Sequence, residues 1–108
     1  MASAFSVLGQ LNPAATTLTT LYTCPANTQA VCSTLVVCNQ GGAGTFRIAV
    51  RAAGAAINAK HYLAYDTAIA ANAVATFTIG ITLEATDIVS VYASSATMSF
   101  SLFGQEIT

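Results

Sequence analysis

The chain has 108 residues, 55% of them hydrophobic and 6% charged, with a formal net charge of −1. That length suits one domain, which usually runs about 100 to 150 residues, and the charged fraction falls far below the roughly 25% of an average soluble chain. Three cations, Arg47, Arg51 and Lys60, cannot build the basic patch that nucleic acid requires, and no apolar stretch approaches the roughly 20 residues of a membrane-spanning helix.

Residues 1–13 carry Phe5, Val7, Leu8 and Leu11 and read either as an N-terminal arm packing on a neighbour or as a first strand. The segment lacks the basic and continuous apolar regions of a secretory signal, so the product is expected to stay where it is made. Residues 14–108 read as one β-domain. The run TTLTTLYT at 16–23 is rich in β-branched residues that favour a pleated surface, and it ends at the turn Cys24-Pro25-Ala26-Asn27.

In the next strand, Val31, Leu35 and Val37 are expected on one face, with Cys32, Thr34, Val36 and Cys38 on the other. Cys32 and Cys38 then lie too far apart along the strand to form a disulfide. An odd total of three cysteines, with no C-x-x-C pair, predicts free thiols and neither a metal nor another cofactor. The glycine-rich stretch 39–44 is followed by another strand instead of a helix, which argues against a phosphate-binding loop.

That following strand divides cleanly, with Phe46, Ile48 and Val50 inward and Arg47, Ala49 and Arg51 outward. The two arginines are candidates for carboxylates of a neighbouring subunit, or for a solvated surface that resists aggregation. Residues 52–55 read as a hairpin turn, and 57–65 as the returning strand. His61, the one histidine, has no nucleophile or orienting carboxylate beside it, so a structural role is expected. Asp66-Thr67 reads as a turn.

The run VATFTIGITL at 74–83 alternates again, with Phe77, Ile79 and Ile81 on one side and Gly80 marking a bulge. Glu84 and Asp87 share one short corner, L-x-x-x-D-x-V-x-V, so turn chemistry explains them better than a catalytic carboxylate pair. After a turn at 94–96, Met98, Phe100 and Leu102 alternate with Ser99, Ser101 and Phe103. About eight antiparallel strands at regular spacing predict an all-β sandwich, jelly-roll-like in preference to immunoglobulin-like. Phe5, Phe46, Phe77, Phe100 and Phe103 are the large apolar anchors available to it.

The segments LYTCPANTQAVCSTLVVCNQGGAGTFRIAVRAAG, KHYLAYD, ITLEATDIVSVYAS and SFSLFGQEI together resemble small virion structural proteins of tailed bacteriophages. The resemblance spans nearly the whole chain and is one of overall pattern, with no catalytic signature. It implies a virion component made in the host cytoplasm and no enzymatic activity. The leading expectation is a capsid cement or decoration protein, a homotrimer that binds the major capsid protein. Tail, baseplate or fibre proteins are the alternative partners. Phe5, Leu8, Leu11, Arg47 and Arg51 are the expected subunit contacts. A carbohydrate-binding module is the competing class, with Tyr22, Tyr62, Tyr65 and Tyr92 as stacking faces.

Overall fold

The computed structural model describes residues 3–78 and 80–108, with side chains from residue 5 onward. Nine strands are described: β1 (Ser3–Leu11), β2 (Thr19–Thr23), β3 (Gln29–Asn39), β4 (Gly44–Arg51), β5 (Tyr62–Ile69), β6 (Val74–Phe77), β7 (Ile81–Leu83), β8 (Ile88–Ala93) and β9 (Met98–Ile107). They form two antiparallel sheets, the first ordered β1-β9-β3-β6 with β7 also on β3, the second β2-β8-β4-β5. Because β6 and β7 share one side of β3, each sheet is four strands wide. Consecutive strands change sheet at every step except β4 to β5 and β6 to β7, which is the winding of a jelly roll.

The inward faces meet in a core centred on Phe46 and Phe100, both fully buried. Their rings sit edge to face, 6.4 Å between centroids, and Phe77 approaches Phe46 the same way at 5.8 Å. Such pairs add about 0.5–1.5 kcal/mol beyond the area they bury. Ile48, Leu35, Val37, Val89, Val91, Met98 and Leu102 complete the packing. The alternation seen in the sequence for β4 and β9 therefore holds, but Phe5 and Phe103 do not join the core. Phe5 is 83% exposed, and Phe103 pairs across from Val7 on the outward side of the first sheet.

Strand β3 departs from strict alternation. Ala30 and Cys32 point inward, and so do Leu35, Val37 and Asn39, because the register against β9 shifts between Cys32 and Thr34. One extra residue there returns the apolar set to the core. Val31 is consequently outside, and Cys32 and Cys38 lie on opposite faces. The bulge sits against Gly104, whose Cα has no room for a side chain: a Cβ would fall on the Val31 carbonyl oxygen and within 2.8 Å of the Cys32 Cα.

Three other boundaries differ from the sequence reading. The strand expected at 16–23 starts at Thr19, after Thr16 turns at φ 53° and donates its N–H to the Ala93 carbonyl at 2.8 Å. The 74–83 run is two strands, with Gly80 at φ +60° between them; Ile79 lies outside the described residues. Residues 57–61 are not strand. Two 3-10 turns, Ala52–Gly54 and Ala59–His61, contact β8 and β4 respectively. They cover the outward cross-strand pair Ala49 and Ser90, which is fully buried. Strand β5 instead runs through Asp66, which takes φ 47° as a bulge.

Candidate functional site

The outward face of the second sheet carries a cluster built around Arg47. Tyr92 on β8 is its cross-strand partner, and the β5 bulge brings Tyr65 and Asp66 over the same position. The guanidinium lies 4.1 Å from the Tyr65 ring centre and 4.2 Å from that of Tyr92. Its Nε donates to Asp66 Oδ1 at 2.7 Å, and Nη2 to Oδ2 at 3.3 Å. A planar guanidinium can stack and fork simultaneously, which an ammonium cannot. The Asp66 hydrogen bond, followed by its charge, holds Arg47 even more firmly in its charged form. Arg47 is thus paired within its own chain, although the sequence left it free for a neighbour.

Tyr62 meets Tyr65 edge to face at 4.9 Å. Together with Ile57, Asn58 and Ala59, these rings line an open cleft of about 510 Å³. Tyr22, grouped with them from sequence, is elsewhere: it is buried and donates its hydroxyl to Glu106 Oε2 at 2.5 Å across the sandwich. Burial, then the Glu106 carboxylate, pushes the phenol far above its ordinary range. Cys24 and Cys32 are buried at the same end, and burial pushes the Cys32 thiol up to about 11.

Three further polar side chains are absorbed by the fold. Arg51 donates to Ser90 Oγ at 3.3 Å and to the Ala55 carbonyl at 3.2 Å. His61 is buried, and its Nδ1 accepts the Asn58 N–H at 3.0 Å. Asp87 accepts from the Ala53 and Glu84 amides at 2.8 and 2.9 Å, which is corner chemistry. Among the described residues there is no group of three or more His, Cys, Asp or Glu placed to hold a metal, and no helix long and apolar enough to cross a membrane.

The first sheet is different in kind. Arg47, Arg51, Lys60, Asp66, Glu84 and Asp87 all lie outside its strands, and Glu106 on β9 turns inward to Tyr22. The outward side of its strands therefore carries no charged side chain among the described residues, and exposed Glu84 stands at the rim, lining one depression with Val31 and Thr82. Phe5, Val7, Val31 and Val74 are exposed there, by 83, 52, 39 and 62%. Pairing registers place Gln105 between Phe5 and Val31, and Val7 beside Phe103. Of the expected contact residues, Phe5 belongs to this face, whereas Leu8 and Leu11 pack inward against the core. Phe5, Val7 and Ser33 with Phe103 and Gly104 also line a shallow depression of about 340 Å³.

Sequence reasoning missed both the Arg47 cluster and this face. The signal for the face was present, since the stretches forming β1, β3, β6 and β7 contain no Asp, Glu, Lys or Arg. No family model and no curated protein matches the chain. Among solved structures it is similar to a chain from the structure of infectious bursal disease virus, Gx strain, with a TM-score of 0.46 and 15% identity. The match covers 97% of this chain and 30% of that one, so this chain spans less than a third of its length.

Proposed function

We propose that the chain is a non-enzymatic structural subunit of a virus particle, a cement or decoration protein that binds the assembled capsid as an oligomer. The observation that carries this is the charge-free outward face of the first sheet, with its exposed Phe5, Val7, Val31 and Val74. Exposed apolar side chains on strands that carry no outward charge suit a surface that associates with another protein. A subunit that binds only the assembled lattice stabilises it by mass action, and many copies multiply the effect. The resemblance in sequence to tailed-phage virion proteins supports the same reading.

The test is to mix the purified chain with capsids and, separately, with tails of the particle that encodes it. Co-sedimentation with capsids, together with a raised capsid melting temperature, is the expected result. Binding to tails alone would move the subunit to the tail, and binding to neither would remove both placements.

A second reading, glycan binding, is favoured by the Tyr62–Tyr65 cleft. Tyr65 is 58% exposed and Asn58 supplies an amide beside it, a pairing of ring and hydrogen-bonding group suited to a sugar. Saturable binding of a glycan panel that is lost in Tyr65→Ala would establish it. A flat response across the panel would dismiss it.

A further inference from the structure

The oligomeric part of that reading leaves open which surface meets which. We infer that the outward face of the first sheet is where two copies of this chain pair, sheet against sheet across a two-fold axis. The inference deepens the virion reading, and three observations point to a second copy as the occupant.

The first is charge. A partner with an ordinary surface would have to bury ions against a face that offers them no counter-charge, at a cost of several kcal/mol per ion. A second copy brings strands equally free of charge, so only the rim carboxylate of Glu84 has to keep its water.

The second is area. Four strands about 4.8 Å apart and ten residues at about 3.4 Å each give a projected face of about 650 Å². Two such faces bury about 1,300 Å², within the roughly 1,200–2,000 Å² of specific interfaces.

The third is shape. A two-fold interface must be self-complementary, so any projection on the patch needs its recess on the same patch. The first sheet has both: the Phe5 ring stands 83% exposed at one side of the shallow depression that it lines with Val7, Ser33 and Phe103. The Phe5 ring of one copy then enters the recess of the other, and the reverse contact forms simultaneously. Such pairing closes at two copies, whereas the trimer suggested by the sequence resemblance would need a different, head-to-tail contact.

The experiment is solution mass by light scattering on the intact chain, on Phe5→Lys and on Leu63→Lys, with circular dichroism verifying the fold of each. Leu63 is 51% exposed but lies on β5 of the other sheet. A mass near twice 11.0 kDa is expected for the chain and for Leu63→Lys. Phe5→Lys should weaken self-affinity about 30-fold or more, as loss of an aromatic anchor seated in a partner's recess does.

A mass of one chain for the unmodified protein, or a trimer unaffected by Phe5→Lys, would overturn the inference. Capsid binding separates it from the proposed function. A single-chain protein that binds capsids and loses that binding in Phe5→Lys would assign the face to the capsid and refute pairing. A dimer broken by Phe5→Lys that binds no capsid would keep the pairing and refute cement.

Discussion

At the scale of single residues, the end of the sandwich holding Tyr22, Cys24 and Cys32 links the fold to pH. All three groups are neutral when protonated, and burial raises each above its ordinary value. The folded chain therefore holds these protons more tightly than the unfolded chain, and the stabilisation is complete below the unfolded values. It is lost as pH rises, for Cys32 between its ordinary 9.0 and about 11. Urea midpoints measured across that interval should fall steadily, and Cys32→Ala should flatten the slope. A second residue-scale prediction concerns Gly104. Gly104→Ala drives a methyl into the β3 backbone and should cost about 1–3 kcal/mol, as overpacking does. Gly42→Ala, with nothing within 4 Å, should stay within about 0.5 kcal/mol. Equal midpoints for the two variants in urea would show that the bulge tolerates the extra carbon.

At the scale of elements, β1 is paired along its length with β9, apart from a shift between Val7 and Gly9, and contributes Leu8 and Leu11 to the packing. Deleting residues 2–11 bares one edge of β9 and one side of the core. The expected outcome is loss of the β signal by circular dichroism, with aggregation through the open edge; a folded, soluble remainder would show that β1 is dispensable. Elements were legible in the sequence where apolar residues alternate without interruption, as Phe46, Ile48 and Val50 do, and Met98, Phe100 and Leu102. Bulges were not. The shift in β3 arises from Gly104, about seventy residues away, and nothing in Cys32-Ser33-Thr34 announces it. Asp66 illustrates a subtler case: its turn-like φ was anticipated, but the turn conformation sits inside a strand. There it aims a carboxylate at Arg47, a contact spanning 19 positions. The Tyr92 contact spans more still, so the cluster emerges only once β5, β4 and β8 lie side by side.

At the scale of the molecule, charge is segregated by sheet, and this sets how association should respond to salt. Ion pairs at a surface weaken as salt screens them, over a Debye length of about 10 Å at 0.1 M and about 3 Å at 1 M. A face without ions has nothing to screen. The mass of the paired chain should therefore stay constant between about 0.05 and 1 M NaCl, by light scattering. Dissociation at the upper end would mean that charged residues such as Arg51 or Glu84 hold the copies together.

The placement of β9 between β1 and β3 also dictates an order of events during synthesis. The ribosome makes β1 first, yet β1 has no partner in its own sheet until the last strand has emerged. Until then β3 is also open along one side. Pairing between such distant stretches is slow, and open strands of this kind invite sticking between nascent chains. The first sheet can close only after translation has passed Ile107, so the step most exposed to error is the final one, when a single strand must enter a gap bordered on both sides.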